Sequence, residues 1–291
     1  MLLLKKNIVK LFEKSWNKVD FSKFENKIIE EYLTDGIDFL NKNIAPTLTF
    51  GGYKTTFSGV FLHQTPKINR LDHAKHCSKN INCEFGDLLI LFYFLDRNDN
   101  ILLNRAMVSQ AKKEHKIDNF CQKCLYDYDT RFEWATPKNI YINSPLNSVE
   151  RKLPSFYFYN RSKSMKYLIL QKQSTHSCPY FINSPWDKQT KVNFDNFMFS
   201  FIIGLDGLRF SRKPKWNGGW STIIWELLDT TAKQVTSFGF KRGKYLPKNI
   251  QFLLSEITEN ENYLIDVPSN ICNDNYGMNL LFITVKDFEN G

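Results

Sequence analysis

The chain lacks any long hydrophobic run. Its longest, Leu88–Leu95 and Phe197–Leu205, are each less than half of the ~20 apolar residues that a membrane-spanning helix requires, so no membrane partner is expected. A secretory leader is not expected either. In the opening stretch, MLLLKKNIVKLFEKSW, the apolar segment Leu2 to Leu4 is interrupted at once by lysines, well short of the about 7–15 apolar residues a signal peptide carries. The expectation is a soluble, cytoplasmic protein. Cysteine is sparse and irregularly spaced: Cys77, Cys83, Cys121, Cys124, Cys178 and Cys272 do not form the dense framework of a small secreted domain, and reduced thiols are expected. No internal repeat and no Gly/Ser-rich or Pro-rich linker marks a domain boundary.

What is present is ample core material. With 42% hydrophobic and 15% aromatic residues over 291 positions, the chain can bury one large domain or two modest ones. A net charge of +9 and a pI near 9.1 suit a polyanionic partner, because neutralising phosphates supplies most non-specific nucleic-acid affinity. The abundance of Lys, Asn, Ile and Phe is accounted for equally well by an AT-rich genome, so charge alone does not decide.

Along the chain, residues 21 to 43 show helical period, with Phe21, Ile28, Ile29, Tyr32, Gly36 and Leu40 on one stripe and Glu30 and Glu31 on the polar side. Glu25 falls on the apolar stripe, where a carboxylate needs a partner or a metal. Thr55–Leu62 reads as a strand, followed by a polar loop, His63–Asn82. Glu114–Tyr128 reads as a helix. Asn139–Asn143 and a hairpin of Ser155–Tyr159 with Lys166–Lys172 read as further strands. Helices are expected over Phe194–Leu205, Gly219–Lys233 and Lys248–Glu256, and Met278–Val285 as a closing strand.

The most informative stretch is CEFGDLLILFYFLDRNDNILLNRAMVSQAK, residues 83 to 112. A turn centred on Asn98 and Asp99 pairs positions whose numbers sum to 197, which sets Asp87 opposite Gln110, with Lys112 two residues on along the same face. One face then carries Leu89, Leu91, Tyr93, Ala106 and Val108, and the other Leu88, Ile90, Phe92, Leu103 and Met107. Two apolar faces describe central strands covered on both sides, with Asp87, Gln110 and Lys112 gathered at one end. These groups suit phosphodiester hydrolysis with a hard cation, Mg²⁺ or Mn²⁺. Asp87 supplies charge, Gln110 and the Ala111 carbonyl supply neutral oxygens, and Lys112 is placed to polarise water and stabilise developing charge. The plainer reading is an ordinary ion pair between Asp87 and Lys112 at the strand ends.

Gly86-Asp87, then 22 residues, then Gln110-Ala111-Lys112, preceded by a helix carrying Glu25, resembles the PD-(D/E)xK nuclease core of restriction-endonuclease-like proteins. The variant is the one in which Gln replaces the second acid, found in several bacterial antiviral effector nucleases and restriction enzymes. Cys83-Glu84-Phe85-Gly86 stands where the family often has a proline before the acid. The resemblance implies an α/β fold with an αβββαβ core, a central mixed sheet flanked by helices. It also implies a divalent metal held by Asp87, Gln110, Ala111 and Glu25, cleavage of DNA or less often RNA, and a role in defence against foreign DNA. It covers roughly the first half, giving a nuclease core over residues 1–175 and a C-terminal elaboration over 176–291. Cutting both strands usually takes two sites, so the implied partners are a second copy or another subunit. The rival class is a non-catalytic nucleic-acid-binding or protein-binding module on a degenerate nuclease fold.

Other groups carry weaker signals. Cys121 and Cys124 form CxxC but share a helical face with Phe120 and Leu125, which makes them core cysteines. His73, His76, Cys77 and Cys83 match no strong zinc spacing. Glu84 is an alternative third carboxylate. His63, Gln64 and Lys67 are expected near the substrate. Arg212, Lys213, Lys215 and Trp216, with Lys241, Arg242, Lys244 and Tyr245, interleave cations with aromatics as nucleic-acid-binding loops do.

Overall fold

The computed structural model describes residues 2–49, 52–61, 66–72, 82–98, 100–135, 150–157, 160–171, 178–186, 190–212, 217–237 and 278–287. The chain opens with three helices, α1 (Leu2–Ser15), α2 (Glu25–Glu31) and α3 (Ile37–Thr49), the last two joined by a π-helical turn, Tyr32–Gly36. The stripe read from the sequence is buried at Ile28, Ile29, Tyr32 and Leu40. Gly36 belongs to that stripe because the Tyr32 ring lies 2.6 Å from where a β-carbon would stand. The same ring stacks on Trp16 at 3.8 Å. Glu30 is not on a polar face: it is buried, with its carboxylate held by Lys27 at 2.6 Å. Helix α1 has no counterpart in the sequence reading, although Ile8 and Phe12 bury into the same cluster.

The strands are β1 (Tyr53–Val60), β2 (Lys67–Arg70), β3 (Asn82–Glu84), β4 (Leu88–Leu95), β5 (Ile101–Lys112), β6 (Arg131–Trp134), β7 (Arg151–Lys152), β8 (Met165–Ile169), β9 (Tyr180–Asn183), β10 (Lys191–Asn193) and β11 (Leu280–Asp287). The remaining helices are α4 (Phe120–Asp127), α5 (Asn160–Ser164), α6 (Phe194–Ile202) and α7 (Trp220–Ser237). Seven strands make a mixed central sheet in the order β1-β11-β4-β5-β8-β9-β10, and β3-β2-β6-β7 make a second, antiparallel sheet. The fold is therefore mixed α/β, with helices flanking the central sheet. Strands β9, β10 and β11 come from beyond residue 176, and β11 lies inside the sheet between β1 and β4. Among the described residues no helix is long and apolar enough to cross a membrane.

The hairpin β4–β5 is covered on both sides. Leu89, Leu91, Tyr93, Ala106 and Val108 pack toward α4, α7 and the second sheet, whereas Leu88, Ile90, Phe92 and Met107 pack toward α1, α2, α3 and α6. Pairing follows the sum of 197 from Leu88↔Ser109 to Phe94↔Leu103 and then shifts to Leu95↔Ile101. The turn is centred on Asn98, with the Asp96 carboxylate accepting from the amides of Asn98 and Asn100 at 2.8 Å each. Leu102 is the extra, bulged residue, 45% exposed, and it restores the register expected from a turn one half-step away.

Several expectations are corrected. The loop after β1 contains strand β2. Helix α4 begins at Phe120, because the Asn119 side chain caps it by accepting from the amides of Cys121 and Gln122. The hairpin of Ser155–Tyr159 with Lys166–Lys172 does not form. Asn160–Ser164 is helical, anchored by the buried Arg161 guanidinium on the carbonyls of Pro154, Leu125 and Asp129, and β8 pairs in parallel with β5. Strand Asn139–Asn143 and helix Lys248–Glu256 lie outside the described residues.

Candidate active site

Asp87 is placed by the backbone on three sides. Its amide donates to the Ser109 carbonyl at 2.8 Å, extending the β4–β5 ladder by one residue. Its carbonyl accepts from the Asn279 side chain at 2.8 Å, and the Asn279 carbonyl accepts from Leu89 at 2.8 Å. The approach through Gly86 is closed to larger residues: a β-carbon there would lie 2.5 Å from Val108 Cγ1 and 2.9 Å from Tyr126 Oη. The tyrosine hydroxyl is fixed, donating to the Phe85 carbonyl at 3.1 Å.

The pairing arithmetic brings Asp87 and Gln110 together. One Asp87 carboxylate oxygen accepts from the Gln110 side-chain amide and from the backbone N–H of Ala111, the latter at 2.6 Å. Because strand N–H and C=O groups of one residue point to the same neighbouring strand, the Ala111 carbonyl is directed to the Asp87 side too. Gln110 is 2% exposed, and its Oε1 has no hydrogen-bond partner among the described residues. A buried amide oxygen without a donor costs about 1–3 kcal/mol. Burial, then the negative charge of Glu84, and further off that of Glu25, push the Asp87 carboxyl up to about 8 against the opposing pull of the Ala111 amide and Lys112.

Glu25, the first residue of α2, reaches the end of β5 with one oxygen accepting from the Lys113 amide at 2.6 Å, while Lys113 Nζ donates to the Ser22 carbonyl at 2.9 Å. Lys112 is buried on the Asp87 face, but its ion pair is with Asp118, at 3.1 Å. The strand-end ion pair with Asp87 is therefore not the contact it makes. The Lys112 ammonium holds the Asp118 carboxyl below the usual carboxylate range.

Three residues that position the site escaped sequence reading: Asn279, Asp118 and Gln122. Gln122, 2% exposed, donates to Glu84 at 3.4 Å, and its Oε1 also lacks a partner among the described residues. A polar side chain on the core-facing side of an otherwise apolar helix was the available signal.

The donor set tests the metal expectation. Among the described residues no three His, Cys, Asp or Glu side chains converge into a metal-binding cluster. The groups that do converge are hard oxygens: a carboxylate whose charge is disfavoured, an orphaned amide oxygen and a backbone carbonyl. That set fits Mg²⁺ or Mn²⁺ with retained waters, and turning the Gln110 amide about its last bond would present Oε1 to a cation beside Asp87.

Other expected residues are not brought here. Arg212 donates to the Leu102 carbonyl at 2.9 Å, roughly 27 Å along β5 from Gln110 at ~3.4 Å per residue. His63, Gln64, Lys213, Lys215, Trp216, Lys241, Arg242 and Lys244 lie outside the described residues. So do His73, His76 and Cys77. Cys121 and Cys124 are buried as expected, but Cys121 stands in the first turn of α4, not mid-helix. A hydrogen bond with Cys83, with Arg70 beside it, holds the Cys121 thiol below its usual range. Cys124 is disulfide-bonded, which corrects the expectation of reduced thiols throughout. Family models, curated proteins and solved structures contain no match to this chain.

Proposed function

We propose that this chain is a metal-dependent phosphodiesterase of PD-(D/E)xK type that cleaves nucleic acid, DNA in preference to RNA, in cytoplasmic defence against foreign DNA. The observation that carries the reading is the facing pair at the open end of the hairpin. The negative charges of Glu84 and Glu25 act on Asp87, and beside it the buried Gln110 Oε1 has no donor among the described residues. A structural polar pair satisfies its own atoms; this one leaves an oxygen and an unwelcome charge that a cation would satisfy. The central sheet supports the same reading: leaving aside β2, β3, β6 and β7 of the second sheet, α2 and α3, then β1, β4 and β5, then α4 and α5, then β8 follow the αβββαβ order, with β11 inserted between β1 and β4.

Asp87, Gln110, the Ala111 carbonyl and Glu25 would hold the metal. When bound, Mg²⁺ or Mn²⁺ supplies Lewis-acid polarisation of the phosphate and lowers the pKa of water. Gln122 steadies Glu84 at the rim, and the Glu25 carboxylate ties α2 to the end of β5. Lys112, buried along its stem, exchanges Asp118 for the substrate phosphate, orients the attacking water and stabilises the negative charge that gathers on phosphorus oxygens. Low local dielectric strengthens that interaction beyond what an exposed lysine would provide.

A second reading, a non-catalytic binding module, is favoured by Gln110 standing where an acid would give the site more charge. Incubating wild type, Asp87→Ala and Lys112→Ala with plasmid and with single-stranded RNA, in Mg²⁺, Mn²⁺ or EDTA, separates the two. Cleavage by wild type alone, lost in EDTA, is the expected result and names the nucleic acid. Affinity for nucleic acid that survives Lys112→Ala, without cutting by any protein, would establish the binding module instead.

A further inference from the structure

The floor of the site continues sideways into a set of rings. Lys112, Ile169 and Tyr180 share one rung across β5, β8 and β9, and Gln110, Tyr167 and Ile182 share the next. Paired residues project to the same side of a sheet, and Tyr167, Ile169, Tyr180 and Ile182 all pack in the cluster on the Asp87 face. Tyr180 is therefore two strand spacings, ~10 Å, from Lys112. His115, three residues past Lys112, has its Nδ1 2.8 Å from the Tyr180 hydroxyl and its ring roughly parallel to that ring at 28°. Trp186 meets His115 edge to face, with centroids 5.2 Å apart and planes at 67°, and meets Tyr167 at 4.9 Å.

This corner is held from behind. One Asp127 oxygen accepts from the Tyr167 hydroxyl at 2.9 Å and from the Trp186 amide at 2.8 Å. Tyr167 and Tyr180 are buried, whereas His115 and Trp186 stay half-exposed. Cations border the corner. Lys191 Nζ lies 5.1 Å from the Tyr180 centroid, Lys112 stands on the near side, and Lys116 is exposed on the same loop as His115. The loop's acids are Glu114, which is exposed, and Asp118, which Lys112 engages.

We propose that His115 and Trp186, backed by Tyr180 and Tyr167, form a stacking subsite for an unstacked nucleobase of single-stranded nucleic acid next to the reacting phosphate; this rests on the nuclease reading and gives its substrate class. A pre-set corner of rings costs little entropy to occupy, and cations beside aromatics hold the backbone while bases stack. In a duplex both faces of each base are already covered, so only a single strand or a frayed end can present a face to it.

The test is fluorescence anisotropy in EDTA with labelled single strands of about 12 nucleotides, within the ~4–16 nucleotide site sizes of such grooves, as DNA and as RNA, against the matching duplexes. His115→Ala and Trp186→Leu are expected to weaken single-strand binding about tenfold, the lower part of the range for one stacked base, and to leave duplex binding and its salt dependence unchanged. His115→Phe, which keeps a ring, is expected to bind nearly as wild type, which separates stacking from folding. Single-strand affinity unchanged in both variants, or an equal loss for single strands and duplexes, overturns the subsite. Cleavage assays in Mg²⁺ run beside it keep the two readings apart. A wild type that cuts while both variants bind normally leaves the nuclease and removes the subsite. A selective single-strand loss with no cutting by wild type does the reverse. A wild type that binds no strand of either kind overturns both.

Discussion

The two ends of the β4–β5 hairpin each carry an aspartate, and they are treated in opposite ways. At the turn, Asp96 accepts from the Asn98 amide and from the backbone and side chain of Asn100, all at 2.8 Å, and the Asn100 side chain first among these holds its carboxyl below the usual range. At the open end, Asp87 is half-buried, lies in the field of the Glu84 and Glu25 charges, and is pushed up to about 8. Asp96 is given donors until its charge is comfortable. Asp87 is placed where its charge is resisted, beside an amide oxygen that has no donor among the described residues. The first arrangement shapes a turn; the second, on the reading proposed above, is one that a bound cation would relieve.

The largest expected effect breaks this contrast directly. Asp87→Asn reduces Mg²⁺-dependent cleavage to background, while Asp96→Asn leaves it intact and lowers Tm slightly; initial rates and thermal melts of both variants check this. Lys112→Ala is expected to lower kcat about 10²–10³-fold, the scale for losing one group that stabilises transition-state charge.

Next is the pH dependence of stability in EDTA. The Asp87 carboxyl titrates near its ordinary 3.8 in the unfolded chain and near 8 in the folded one, so between those values the folded state holds the extra proton. Its contribution to stability is then full below about 4 and lost as pH rises through about 8. Tm of the metal-free protein should fall from pH 5 to pH 9, Asp87→Asn should flatten that fall, and Mg²⁺ should restore Tm at the alkaline end. A wild-type profile that matches Asp87→Asn across this range, with and without Mg²⁺, would sink the idea.

Gly86→Ala is expected to cost about 1–3 kcal/mol of stability through overpacking against Val108 and Tyr126, read by denaturant melts. Asp118→Asn has the smallest effect, a change below about fivefold in kcat/KM, because it only frees Lys112 from an exposed partner. A loss as large as that of Lys112→Ala would give Asp118 a direct part in the chemistry.

Much of the hairpin was legible because a strand's period is two. Once Leu88–Leu95 and Ile101–Lys112 alternate, their faces follow, and the facing of Asp87 and Gln110 follows with them. The expected register held from Leu88 to Phe94 because two features cancelled: a turn centred half a step earlier and a bulge at Leu102. Other parts leave no local trace. Strand β11 reads as a strand, but its place between β1 and β4, nearly two hundred residues away in sequence, depends on which edges the rest of the sheet leaves for it. Asn279 and Asp118 act through contacts made by that long-range folding. Arg212 was read as a phosphate ligand from its basic neighbours, yet it stands at the turn end of β5, since charge patterning carries no distance.

The most direct measurement of the central claim is cleavage of plasmid and single-stranded substrates by wild type, Asp87→Asn and Asp96→Asn, side by side in Mg²⁺ and in EDTA. Cutting by wild type and Asp96→Asn in Mg²⁺ alone, with none by Asp87→Asn, is the predicted result. Cutting by Asp87→Asn at the wild-type rate, or no cutting by any of the three together with a Tm that Mg²⁺ and Mn²⁺ leave unmoved, would contradict it.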